Sequence, residues 1–234
     1  MDNEKNFETF LFIGLNNFII SIKTKDNLET IHEKEINFKN VSSVFNSDKL
    51  SDFLNQNIFK IEKSLNFFIK DINIILEHEE FLPIQVSIKK NNYGNLISKN
   101  DIIYSLNELQ NHCKKTLAEK KIIHMLIDEY TIDDKTYSNF VPNLSCKNFS
   151  LNVRFICLPN YIIDNLEKIL KKYQIVIHRI VEINYLNDFF KDNGKDIFFN
   201  AKQIILGCNE NEVKLLEKSR KNEGFFEKFF NFFN

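Results

Sequence analysis

Tryptophan is absent from the 234 residues, and only five glycines and three prolines punctuate them. Beside an abundance of Asn, Ile, Lys and Phe, this scarcity reads as drift toward a restricted codon set and excludes no chemistry. The other absences do exclude. Cys113, Cys146, Cys157 and Cys208 stand far apart with no Cys-x-x-Cys pair, which fits reduced, buried thiols and argues against disulfides or zinc. Neither sign of charge dominates: 31 Lys and Arg face 32 Asp and Glu, for a net charge of −1 and a pI of about 6.5. There is thus no basic footprint for nucleic acid, and Lys114-Lys115, Lys120-Lys121 and Lys171-Lys172 read as solvated positions. No long apolar run follows the charged start Met1-Asp2-Asn3-Glu4-Lys5, so neither a signal peptide nor a transmembrane helix is expected and the chain is placed in the cytoplasm.

What is present suffices for a core. With 43% hydrophobic residues the chain can fold as one large domain or two small ones. The apolar stretch from Phe10 to Thr24, broken by Asn16-Asn17, predicts two strands joined by a tight asparagine turn, with a third strand near Glu29 to Phe38. Behind a Ser47-Asp48 cap, Leu50, Phe53, Leu54, Ile58, Ile61, Leu65 and Phe68 recur at helical spacing, predicting a core-facing helix through Ile69. Ile72 to Leu76 then reads as a short buried strand, and meander, helix, strand is the order of an α/β layer.

Pro83 marks a change of character. Ile84, Val86 and Ile88 alternate as in a half-exposed strand, and Ser98 to Asp101 caps a helix through about Leu117. Lys121 to Ile132 is β-rich, Asp133 to Lys147 polar, and Phe149, Leu151, Val153 and Phe155 alternate again. Pro159 opens a helix carrying Ile162, Ile163, Leu166, Ile169 and Leu170, followed by a strand over Gln174 to Ile183 and helices near Asn184 to Lys191 and Asp196 to Leu206. Residues 208–223, rich in Glu, Lys and Asn, read as a frayed helix or polar linker.

The last eleven residues carry six phenylalanines. On a helix, Phe225, Phe226, Phe229, Phe230, Phe232 and Phe233 fall within an arc of roughly 160°, with Glu227, Lys228, Asn231 and Asn234 on the remainder. So short an aromatic helix needs a groove, a partner or a bilayer interface. The polar stretch before it and the nearby Lys218, Arg220, Lys221 and Lys228 favour an anionic membrane surface, which partial burial of six rings, at about 1.5–3 kcal/mol for one fully buried, supports.

Candidates for chemistry read as ordinary structure. Glu77-His78-Glu79-Glu80 has four consecutive side chains pointing apart, which is not metal-ligand spacing. His112 faces away from Cys113 on a helix, so with His124 it makes no Cys–His nucleophile. Asp128-Glu129 and Asp133-Asp134 read as a turn and its flanks. No catalytic residue, metal or cofactor is expected.

Several pieces in order resemble the bacterial actin-like cell-division protein FtsA. They are Phe12-Ile13-Gly14-Leu15, the Asp48 to Lys70 helix with Ile72 to Leu76, Leu96-Ile97-Ser98-Lys99-Asn100-Asp101-Ile102, Asp128 to Asp134, and Cys157 to Leu186. The resemblance implies an α/β (α+β) fold. Its parts would be a partial actin-like, ribonuclease H-like subdomain 1A over residues 1–82 and 159–207, an inserted 1C subdomain over 83–158, a linker over 208–223 and an amphipathic helix over 224–234. Subdomains 2A and 2B have no counterpart in the chain. The family's phosphate loop, Gly-Leu-Asp-Ile-Gly with Thr or Ser, is reduced here to Gly14, Leu15, Asn16 and Asn17.

The implied function is that of a non-catalytic adaptor of the division machinery, peripheral on the inner face of the membrane and anchored through Phe225, Phe226, Lys228, Phe229, Phe230, Phe232 and Phe233. Its partners would be other division proteins, itself or a full-length relative, with binding of FtsZ put in doubt by the lack of 2B. The alternatives are a soluble interaction domain of a pilus-assembly actin-like relative, and an ATPase completed by a partner chain.

Overall fold

Strand β1 (Phe7–Ile13) turns back on β2 (Asn17–Thr24), which pairs in turn with β3 (Thr30–Asn37), so the opening region is the antiparallel meander its apolar pattern predicts. The computed structural model describes residues 6–38, 46–191 and 193–213. Helix α1 (Ser47–Leu65) crosses to β4 (Asp71–Leu76), which lies parallel to β1. Much later β9 (Val176–Glu182) lies parallel to β4 and closes a sheet of order β3-β2-β1-β4-β9.

Between β4 and β9 the chain builds a second sheet. Strands β5 (Leu82–Asn91), β6 (Lys120–Ile132), β7 (Lys135–Tyr137) and β8 (Asn148–Pro159) are antiparallel in the order β5-β8-β6-β7, with α2 (Lys99–Thr116) on one face. Pro159 is the last residue of β8 and also caps α3 (Asn160–Lys171), which leads back to β9. Helices α4 (Ile183–Phe190) and α5 (Ile197–Leu206) follow. The architecture is mixed α/β, with two sheets and five helices among the described residues.

Alternation along the strands explains how the layers stack. In β4, Ile72, Ile74 and Leu76 face a core shared with Leu50, Leu54, Ile58 and Ile61 of α1 and Ile162, Leu166 and Leu170 of α3. Ile75 faces the other way, with Phe10 of β1 and Val181 of β9, into a core that takes in α4, α5 and, from the second sheet, Leu126 and Ile156. A central strand with apolar residues on both faces is what a parallel sheet covered on both sides requires.

Two local expectations are corrected. The cap of α1 is Asn46, whose side chain accepts from the amide of Lys49 at 2.9 Å, and not Ser47-Asp48, which lie inside the helix. The helix also ends at Leu65, short of Ile69. Asn66 takes the left-handed conformation at φ 52° and its amide bonds Glu62, the usual way a chain leaves a helix when asparagine replaces glycine. Phe68 is consequently exposed, whereas Ile69 turns back into the core with its amide on Glu62 Oε1 at 2.9 Å.

Leu54 is fully buried and Phe59, on the opposite face of α1, is exposed. Leu54→Ala should therefore lower the free energy of unfolding by about 2–5 kcal/mol. Phe59→Ala should stay within about 0.5 kcal/mol of the parent in the same urea titration.

Candidate functional site

The shortened loop predicted at Gly14, Leu15, Asn16 and Asn17 is the turn between β1 and β2, closed by a bond from the amide of Gly14 to the carbonyl of Asn17 at 2.9 Å. At Gly14 a Cβ would lie 2.7 Å from the Phe12 ring and 2.9 Å from Asn17 Oδ1, so a larger residue would have to push these two side chains aside. The amide of Leu15 donates to Glu77 Oε2 at 3.0 Å, and the amide of Glu77 donates to Ile13 at 2.9 Å. Around the same turn, Asn16 accepts from the amide of Phe38 at 2.7 Å and Asn17 Nδ2 donates to Glu35 at 2.8 Å. Thus a backbone N–H of the kind that cradles phosphate in such loops already holds an internal carboxylate. Glu77 has this role in place of any part in a Glu-His-Glu-Glu cluster, and the buried His78 accepts the amide of Glu80 at Nδ1. Burial pulls the His78 pKa down, against the raising effect of Glu80 and Glu79.

A second constellation was hidden in the sequence. After Gly207 ends α5 at φ 88°, residues 208–213 return to the body, so this part of the expected linker is structural. Asn211 accepts from the amide of Ile127 at 2.9 Å, Glu212 bridges Leu126 in antiparallel register, and the amide of Val213 donates to Met125 at 2.8 Å. The segment is tied to β6 by an isolated antiparallel bridge.

Its backbone pairing aims the Glu212 side chain, 3% exposed, into the junction between the two sheets. Oε1 takes hydrogen bonds from His124 Nδ1 and Arg179 Nη2, each at 2.7 Å, and Oε2 takes one from the Tyr185 hydroxyl at 3.1 Å. Asn209 Nδ2 donates to the same hydroxyl at 2.9 Å. His124 is fully buried, and its Nε2 accepts the amide of Glu182 at 3.1 Å, which puts the imidazole proton on Nδ1, facing the carboxylate. Burial raises the Glu212 pKa, but His124, Arg179 and Tyr185 outweigh it and hold the carboxyl below its usual value. Burial and the adjacent carboxylate push the Tyr185 phenol upward.

The Cys–His idea dissolves in this geometry. His124 serves the junction, whereas Cys113 and Cys157 are buried in the core of the second sheet, where burial lifts both thiols, Cys157 to about 11. Asp133 and Asp134, both at positive φ, form the β6–β7 turn, and Asp133 accepts the amides of Lys147 and Asn148. Asp128 pairs with Arg154 at 3.1 Å.

Beside the junction opens a cleft of about 630 Å³, walled by Lys120, Ile122 and Ile123 of β6, by Val176 to Ile180 of β9, and by residues of α2 and α3. The β5–α2 loop exposes Tyr93 and Leu96, and α2 exposes Ile103 and Tyr104, all within twelve positions. The proposed membrane residues Phe225, Phe226, Lys228, Phe229, Phe230, Phe232 and Phe233 lie outside the described residues. No helix among the described residues is long and apolar enough to cross a membrane.

With a native pKa below the unfolded value of about 4.3, Glu212 contributes its stabilisation in full above that value and loses it as pH falls through the native one. Glu212→Gln should cost about 3 kcal/mol at pH 7, because it leaves buried donors without their anion. Urea unfolding from pH 7 to pH 2 should show a shallower acid limb for the variant than for the parent.

No family model matches the chain, and no curated protein matches it. Among solved structures, the PilM–PilN type IV pilus biogenesis complex is 7% identical with a TM-score of 0.48, over 78% of this chain and 49% of that one. The cytoplasmic domain of EpsL, an inner membrane component of the type II secretion system of Vibrio cholerae, is 8% identical with a TM-score of 0.37, over 75% and 57%. A protein of unknown function with an actin-like ATPase fold from Bacteroides thetaiotaomicron is 14% identical with a TM-score of 0.36, over 81% and 58%. The chain spans about half the length of these structures, and TM-scores below 0.5 bear on neither its fold nor its activity. None of the three is described as a division protein, so the expectation of an FtsA-like protein finds no support among them.

Proposed function

We propose that the chain is a non-enzymatic interaction module that works at the inner face of a membrane as part of an envelope assembly of the pilus or secretion kind. The observation that carries the non-enzymatic reading is the Glu77 carboxylate on the amide of Leu15. A nucleotide phosphate entering that turn would meet a negative charge already seated on the donor it needs. Supporting the interaction role are Tyr93, Leu96, Ile103 and Tyr104, exposed on one unit of the fold where a monomer has no use for them. The Phe-rich terminus supplies the membrane contact in this reading.

Division machinery gives way in this proposal because the residues behind the FtsA resemblance have local work. Gly14 allows a close approach to Phe12, Ser98 and Asp101 form a reciprocal capping box, and Asp133 ties a hairpin turn to Lys147 and Asn148. Any fold of this outline needs such devices, whichever assembly it serves. A fluorescent fusion that gathers in a mid-cell band would return the reading to division.

Magnesium-ATP titrated into the protein should give no binding heat in calorimetry, and micromolar, magnesium-dependent binding would overturn the non-enzymatic reading. Phe229→Glu with Phe230→Glu should abolish flotation with anionic liposomes while leaving the melting temperature of the body unchanged. A collapse of that temperature would make the terminus part of the core.

A further inference from the structure

Among the described residues, strand β5 ends the second sheet and pairs with β8 alone. A sheet edge open to water recruits other strands, so proteins guard such edges. The other edges here are guarded. β3 sets His32, Glu33, Lys34 and Glu35 in a row, β7 is three residues long, and β9 gives the amide of Glu182, at its end, to His124 of β6. β5 runs for ten residues, and from Leu82 to Ile88 it carries no charge. We propose that this edge pairs with the same edge of a second copy of the chain, antiparallel about a two-fold axis at Gln85, so that the second sheets of the two copies join into one.

The strand is complementary to itself in that register. With Gln85 opposite its own equivalent, Ile84 of one copy faces Val86 of the other, Leu82 faces Ile88 and Pro83 faces Ser87, each pair on one face of the sheet. Ile84, Val86 and Ile88 are only half-buried against the core of the second sheet and Leu82 is 39% exposed, so this apolar row gains cover by meeting its equivalent. Charge fits as well. Glu79 and Glu80 precede the strand and Lys89 and Lys90 close it, so an antiparallel partner brings bases toward acids where a parallel one would stack like on like. Lys90 already serves Glu108 of α2, and Glu80 accepts from the Tyr161 hydroxyl, which leaves Lys89 and Glu79 to carry this attraction. Pro83 lacks a donor but stands second in the strand, so it forfeits at most the outermost bond at each end. Two-fold symmetry then makes every contact twice.

The pairing needs no membrane, so loss of the membrane reading would leave it standing. Sedimentation equilibrium of the full chain at tens of micromolar should show a dimer. Gln85→Lys, which puts two like charges on the axis at an exposed position, should weaken that dimer about tenfold. Gln85→Glu should weaken it likewise, and an equimolar mixture of the two variants should restore it, which misfolded chains could not do. In a Cys208→Ser background, Gln85→Cys should oxidise to a disulfide between copies, because opposite residues of an antiparallel pair lie about 4.5–5.5 Å apart at Cα, within reach of that bond. Lys34→Cys, on the β3 edge, should not. A monomeric parent, a dimer indifferent to both charge variants, or equal disulfide yields from the two cysteines would overturn the proposal.

Discussion

A carboxylate withdrawn from water must be surrounded by donors, and Glu212 collects its donors from three separate elements: His124 from β6, Arg179 from β9 and Tyr185 from α4. Because the first belongs to the second sheet and the others to the first sheet and its flanking helix, satisfying this one charge ties the two sheets together. The cost of getting it wrong is steep, since removing one partner from such a buried set is worth several kcal/mol. The backbone of the same short stretch pairs with β6, so the carboxylate and the segment that carries it hold each other in place.

The apolar layers cooperate with that lock. Leu126 and Ile156 of the second sheet share a core with Phe10, Ile75 and Val181 of the first and with α4 and α5, so the polar junction has a dry wall beside it. Just past the end of β4 another carboxylate, Glu77, is used more simply, on one backbone amide of a hairpin turn. The contrast is instructive for function. One acid ties groups of the two sheets together, and the other holds a backbone amide of the β1–β2 turn.

Much of the fold could be read from the residues because its signals are local. The spacing from Leu50 to Ile61 announced α1, Ser98 with Asp101 announced the start of α2, and alternation announced β5 and β8. Asn66 escaped notice because a left-handed exit disturbs no periodicity until Phe68 is found pointing outward. The turn at Gly14, Leu15, Asn16 and Asn17 was legible in position, but its occupant was not, since Glu77 reaches it from 62 positions away. Glu212 was the least legible of all. It sits among Glu, Asn and Lys like any solvated residue, and its donors lie 88, 33 and 27 positions earlier.

Those separations also set a timetable for synthesis. His124 is made 88 residues before the carboxylate that it serves, and at about 5–20 residues per second that is a delay of roughly 4–18 s. The rest of β6, then β7, β8, α3, β9, α4 and α5 are translated within it, with the junction still open. Until residues 208–213 arrive, a nascent chain carries the His124 imidazole and the Arg179 guanidinium without the carboxylate they serve.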